Sequence, residues 1–220
     1  MAKLIMAKNL YISYNSQPII HDSTFSINSG DFVFLTGVSG SGKTTLIKAM
    51  YGEVKPKGIL NIGGFEVNNI SKSKLALLRR HLGIVFQDYK LIPEWNILKN
   101  VMLPLLIAGI EKTTAEQKAL ELLKKVKLSH KADKFPAELS GGEQQRAAIA
   151  RAIIHNPVMI LADEPISGLD EYSASLVMDL FTMANQMGIT IIIASHSLPN
   201  EFNVKYRQLH IEKGYIYEMS

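Results

Sequence analysis

The chain has 220 residues, of which 47 % are hydrophobic and 20 % charged, the size and balance of one domain with a core of its own. Its net charge of +4 is mild and the basic residues are scattered, so nucleic acid is not expected as a partner, whereas an anionic ligand or membrane surface is compatible. The absence of cysteine excludes disulfides and thiolate metal sites, and no apolar run reaches the ~20 residues that span a bilayer. The most apolar run, residues 101–110, is interrupted by Pro104. Work at a membrane is therefore expected to go through a partner.

In chain order, strand-like alternation covers residues 4–10, and residues 23–27 are extended. Residues 31–35 read as a buried strand and residues 46–50 as the opening of a helix. Between them the run Gly37-Val38-Ser39-Gly40-Ser41-Gly42-Lys43-Thr44-Thr45 fits the phosphate-binding pattern G-x-x-x-x-G-K-[ST] without mismatch. Its glycines let the backbone wrap a polyphosphate, and amides at a helix N-terminus point at the anion. Lys43 is expected to reach the β- and γ-phosphates, and the Thr44 hydroxyl to ligate Mg²⁺.

A short strand at 59–62 follows, then one at 84–86 that ends on Gln87. From there to about residue 156 helical patterns replace strands, with helices expected at 97–107, 114–126 and 141–155. The last of these opens on Leu139-Ser140-Gly141-Gly142-Glu143-Gln144-Gln145-Arg146. Ser140 suits an N-cap, and the two glycines leave N-terminal amides bare. That makes a second polyphosphate-binding device without a lysine of its own. Two such devices in one chain suggest one nucleotide held between two copies.

Strand signals return at 158–162, a continuous apolar run suited to a parallel strand buried on both faces. Asp163 and Glu164 stand at its carboxyl end, where open α/β sheets place ligands. The first is expected to hold Mg²⁺ and the second to polarise the attacking water. A helix at 171–187, a strand at 190–194 and two closing strands at 207–212 and 215–218 complete an α/β sheet with a helical insertion.

In this order the motifs resemble those of the ATP-binding cassette (ABC) ATPases along essentially the whole chain. The resemblance implies a P-loop NTPase fold of the ABC-ATPase kind, with a RecA-like sheet core, an antiparallel β-subdomain and an inserted helical subdomain. It implies one domain over 1–220, with 1–87 and 157–220 as the catalytic core and β-subdomain and 88–156 as the helical subdomain. The glycine-rich run becomes the Walker A loop, and Gln87 the Q-loop glutamine near nucleotide and metal. Ser140, Gly141 and Gly142 become the nucleotide-contacting part of the signature motif. Asp163 and Glu164 end the Walker B strand, and Asp170 closes the D-loop. His196 resembles the switch histidine that acts with Glu164 and Lys43, and Tyr14 falls where the family stacks an aromatic on adenine. Ile166 and Ser197 depart from the threonine and aspartate frequent at those places.

Residues 78–88, 102–109 and 135–136 are similar to the cell-division branch of the family, whose members pair with an integral membrane protein of the FtsX type and regulate cell-wall hydrolysis. Lipoprotein-releasing and macrolide-export ATPases share much of this text, which keeps an exporter permease as the alternative partner. A soluble ABC ATPase acting on DNA or ribosomes is the alternative of another class; sustained heptads are lacking. The resemblance thus implies ATP and Mg²⁺ as cofactors, a homodimer in the ATP-bound state, and peripheral attachment to the cytoplasmic face of the inner (plasma) membrane. The apolar positions Leu91, Ile92, Trp95 and Leu103 are the expected docking groove for the partner's cytoplasmic helix.

Overall fold

The computed structural model describes residues 2–14, 17–199 and 202–219. Strands β1 (Lys3–Tyr14), β2 (Gln17–Asn28), β4 (Lys57–Ile62) and β5 (Phe65–Glu66) form an antiparallel sheet in the order β2-β1-β4-β5. The second sheet has the order β10-β9-β3-β8-β7-β6. In it β3 (Phe32–Thr36), β6 (Leu82–Val85), β7 (Met159–Asp163), β8 (Thr190–Ala194) and β9 (Arg207–Glu212) are parallel, and β10 (Tyr215–Met219) closes one edge antiparallel.

Strands β3 and β8 are buried from end to end, as parallel strands covered on both faces must be. Alternation along them separates two cores. Phe32, Phe34, Ile191 and Ile193 face one way, with Val101, Ala147, Val177 and Phe181. Val33, Leu35, Ile192 and Ala194 face the other, with Leu46, Ile47 and the β1 residues Ile5 and Leu10. Arg207 fastens the two sheets. Its guanidinium donates to the Ser26 carbonyl of β2, to Asp31 just ahead of β3 (2.6 Å), and to both oxygens of Glu218 on β10 (2.7 and 2.9 Å).

Six α-helices surround the sheets among the described residues: α1 (Lys43–Met50), α2 (Lys72–Arg80), α3 (Ile97–Ile107), α4 (Lys112–Lys125), α5 (Gly141–Ile153) and α6 (Glu171–Gln186). Side chains cap five of them, Glu111 accepting from Thr113 N and Thr114 N ahead of α4, as orphan N-terminal amides require. Ser71 accepts from Lys74 N, Asn96 from Lys99 N, Ser140 from Glu143 N and Asp170 from Ser173 N. Helix α2 has no counterpart among the expected elements. Leu78 is its one buried residue, in a nine-residue stretch that is polar on average. Helix α3 continues through Pro104, which only removes an N–H from a helix already held by its apolar face. Residues 88–156 hold α3, α4 and α5 and, among the described residues, no strand.

Asn100 on α3 is fully buried. Its side-chain amide donates to the carbonyls of Ile92, Trp95 and Asn96, and its oxygen accepts from Ile92 N at 2.7 Å. One side chain thereby replaces the secondary structure that the 92–96 connection lacks.

Candidate nucleotide site

Strand β3 ends in the glycine-rich loop and α1 begins at Lys43. Two glycines there admit no side chain. Gly37 has φ 148°, and a Cβ on it would lie 2.5 Å from the Ile211 carbonyl oxygen. Gly42 has φ 109°, and a Cβ would lie 2.6 Å from Ile19 Cγ2. Lys43 is buried, and its ammonium donates to the carbonyls of Gly37 (2.7 Å) and Val38 (3.2 Å). The same nitrogen lies 3.5 Å from His196 Nδ1 and 3.8 Å from Glu164 Oε1. Ser41 Oγ is buried with no hydrogen-bond partner among the described residues. An orphaned hydroxyl inside a loop of convergent amides is the mark of a site built for an anion.

The acidic end of β7 faces this loop. The Thr44 hydroxyl donates to Asp163 Oδ1 at 3.1 Å. Glu164 is held in the left-handed region (φ 47°), and its amide donates to the Ala194 carbonyl at the end of β8. His196 Nε2 stands 3.1 Å from Glu164 Oε1. Burial pushes both carboxyls above their ordinary range. His196 and Lys43 oppose the shift at Glu164, and the Thr44 hydrogen bond and Lys43 oppose it at Asp163. Among the described residues no cluster of three His, Asp or Glu side chains could hold a metal unaided. The two oxygens of Thr44 and Asp163 suit Mg²⁺, which keeps waters and takes further oxygens from a phosphate.

A cavity of about 250 Å³ collects Ser39, Gly40, Gly42, Lys43, Thr44, Thr45, Gln87, Glu164 and His196, with Ile19 as an added wall. Nothing in the sequence marks Ile19. It is an ordinary β2 residue, and only the packing of one sheet on the other brings it to Gly42. The other expected residues lie outside this lining. Tyr14 is 48 % exposed, with Lys48 Nζ 5.9 Å from its ring centre. Asp170 caps α6, accepting from Ser173 N and Ser173 Oγ, and these bonds hold its carboxyl below the ordinary range. Ser140, Gly141 and Gly142 sit at the start of α5, where a Cβ on Gly142 would lie 2.7 Å from Ser173 Oγ. A capping box uses the Ser140 and Glu143 amides, so the bare amides are those of Gly141 and Gly142 rather than of the whole helix start.

A second, larger cavity of about 680 Å³ runs between α2 and α3 over β6. Ile92, Leu103, Pro104 and Ile107 line it with Leu82, Ile84 and Phe86. This corrects the expected groove. Leu91 packs into the core of the helical layer, and half-buried Trp95 is not part of the lining. The cause is the Asn100 amide, which closes a turn from Ile92 to Trp95 and puts the two residues at its opposite ends.

Comparison with known proteins follows the same lines. A family model described as ABC transporter matches residues 20–167. The cell division ATP-binding protein FtsE of Streptococcus pneumoniae serotype 2 is 40 % identical over 91 % of this chain and 87 % of that protein. FtsE of Bacillus subtilis is 38 % identical over 97 % and 94 %, and FtsE of Escherichia coli K12 is 37 % identical over 88 % of each. Among solved structures, the dimeric post-hydrolysis state of the ATP-binding cassette MJ0796 bound to ADP and Pi superposes with TM-score 0.88, 33 % identity and coverage of 98 % and 97 %. The chain belongs to the ABC transporter family. Within that family it is an FtsE-like ATPase.

Proposed function

We propose that the chain is the ATP-hydrolysing subunit of a membrane-associated complex in which two copies close on ATP and act on an FtsX-like integral membrane partner that regulates cell-wall hydrolysis. The observation that carries this reading is the gathering of Lys43, Glu164 and His196 within 4 Å of one another at the glycine-rich loop, with Ser140, Gly141 and Gly142 outside that cavity in the same chain. A second copy supplies the missing donors, as the dimeric relative bound to ADP and Pi supports. We read 1–87 and 157–220 as the catalytic core with its β-subdomain, and 88–156 as the helical subdomain.

The Lys43 ammonium exchanges its two loop carbonyls for the β- and γ-phosphate oxygens, while the loop amides hold the polyphosphate chain. Thr44 and Asp163 would hold Mg²⁺, which would supply positive charge against the phosphate oxygens. Glu164 takes the proton from the water that attacks the γ-phosphorus. Its raised proton affinity suits a general base, and His196 fixes its carboxylate through the 3.1 Å contact. Gln87 lines the cavity beside Lys43 and leads into the helical segment, so it senses occupancy for that segment. Tyr14 carries the adenine, and Asp170 orients the start of α6 towards the second copy. Closure depends on contacts to the γ-phosphate, so ATP favours the closed pair and ADP does not.

The α2–α3 groove receives a cytoplasmic helix of the membrane partner, which puts the chain at the cytoplasmic face of the inner (plasma) membrane. Among the described residues no helix is long and apolar enough to cross a membrane, so attachment through a partner is the reading that fits. The second reading, the ATPase of a lipoprotein or small-molecule exporter, is favoured by the 33 % identity to MJ0796, a bacterial ABC transporter cassette. Affinity recovery from detergent-solubilised membranes tests both. An FtsX-like four-helix protein is the expected companion, an exporter permease would select the second reading, and ribosomes or DNA would overturn both.

A further inference from the structure

Helix α1 ends in a turn that folds back over the helix. Gly52 stands in the left-handed region (φ 71°). Its amide donates to the Ala49 carbonyl at 3.0 Å, and the Glu53 amide to the Lys48 carbonyl at 2.8 Å. This pair of bonds is the Schellman arrangement, which sets the residue after the glycine against the residue five before it. Those two residues are Glu53 and Lys48, and their side chains meet at 3.1 Å. The other carboxylate oxygen of Glu53 accepts from the hydroxyl of buried Tyr51 at 2.6 Å. The glutamate thus places an ammonium as well as neutralising it. Its hydrogen bond raises Lys48 above the ordinary lysine value, so the group stays a cation at neutral pH.

That ammonium stands 5.9 Å from the centre of the Tyr14 ring, inside the ~6 Å range of a cation–π contact. The end of α1 therefore reaches the end of β1 in the other sheet. Lys48 lies outside the lining of the nucleotide cavity, and Tyr14 is 48 % exposed. A cation on one side of an aromatic ring draws the ring's negative quadrupole towards itself, and the other side becomes less repulsive to a second electron-rich ring. It also holds the ring in one orientation before a ligand arrives, so less freedom is lost on stacking.

We propose that Lys48 is a positioning residue for the base of the nucleotide: braced by Glu53, it backs one face of the Tyr14 ring and strengthens the stacking of a purine on the other. This rests on the adenine role given to Tyr14 above and adds the residue that tunes it. Two kinds of selectivity are thereby separated. Lys43 and the loop amides hold the phosphates whatever base they carry, whereas the chain Glu53–Lys48–Tyr14 acts on the base alone.

Competition against a fluorescent ATP analogue on the full chain tests this with two competitors, ATP and tripolyphosphate. Lys48→Met keeps the apolar stem and removes the charge. It is expected to weaken ATP binding about two- to fivefold, the range of a cation–π contact at an accessible site, and to leave tripolyphosphate unchanged. Lys48→Arg, which keeps the cation, is expected to stay within about twofold of the parent. In a Tyr14→Ala background Lys48→Met is expected to cost nothing further, since the ring it acts through is gone. In turnover the loss is expected in KM and not in kcat, a split that general loosening of α1 does not produce. A loss of tripolyphosphate affinity, or an equal loss of ATP affinity with and without Tyr14, means that Lys48 meets the phosphates directly and overturns the proposal. So does a Lys48→Met protein that binds ATP as the parent does while Tyr14→Ala binds it more weakly. Tyr14→Ala with undiminished ATP affinity overturns the adenine role itself, and the proposal with it.

Discussion

His196 Nε2 and Glu164 Oε1 are 3.1 Å apart, and the glutamate is buried while the histidine ring is half exposed. A buried carboxylate is therefore steered by a group that solvent and a second copy can reach. The pair can be set or released from outside the chain, whereas Lys43, 3.8 Å from the carboxylate, is enclosed.

Glu164→Gln keeps the size and the hydrogen-bonding capacity of the side chain but removes its basicity. Hydrolysis should fall by about 10²–10⁴-fold, the usual share of a general base, with ATP affinity retained. The uncleaved γ-phosphate should let a dimer accumulate in Mg-ATP and not in Mg-ADP, read by size-exclusion chromatography. Adding Ser140→Arg should abolish that dimer; one that survives speaks against a site shared between copies.

Lys43→Ala removes the one charged side chain aimed at the loop carbonyls. A charge-assisted bond is worth about 1.5–3 kcal/mol, so affinity for a fluorescent ATP analogue should drop by about 10–100-fold. Near-unchanged binding would disqualify the loop as the phosphate site.

Asp163→Asn tests the acidic end of β7 through pH. Burial raises the proton affinity of Asp163 in the fold, so its ionisation works against the folded state as pH rises through the raised value, and the cost vanishes below the ordinary carboxylate pKa. Without nucleotide the variant should melt at a higher temperature than the parent at pH 8, and the gap should close towards pH 3. Thermal scans of both proteins across that range decide. Hydrolysis moves oppositely with pH for a related reason: Glu164 must be ionised, so the acid limb of the rate profile should lie above the ordinary glutamate range.

Asn100→Ala strands the Ile92 amide and relaxes three carbonyls in the interior of the helical layer. Each buried group left unsatisfied costs about 1–3 kcal/mol, so the unfolding free energy from urea titration should fall by that order, and the midpoint with it, without loss of nucleotide affinity. An unchanged midpoint would mean water replaces the side chain freely.

The phosphate loop and the acidic strand end were legible because their chemistry is local. Glycines at Gly37 and Gly42, and carboxylates after an apolar strand, state their purpose within a few residues. The strands buried on both faces, such as residues 190–194, were equally plain. What escaped depends on distance in sequence. Helix α2 is nine residues long and buries Leu78 alone, so it offers little apolar sequence to read. Ile19 meets Gly42 only because two sheets pack, and Asn100 matters through a turn whose residues look like any loop. Trp95 misled for the converse reason: a lone tryptophan in an apolar stretch invites a docking role, while the backbone bonds to Asn100 put it elsewhere.

Arg207 gives the two sheets a common hinge pin that is in fact locked, with one guanidinium bolted to β2, to the entrance of β3 and to β10. The expected adenine contact, Tyr14, stands on one sheet, and the phosphate loop grows from the other. With the two sheets joined at Arg207, a nucleotide reaching from Tyr14 to the loop would meet a spacing that the protein holds ready for it. A base with too short a phosphate tail would fill the first station and leave the last one empty.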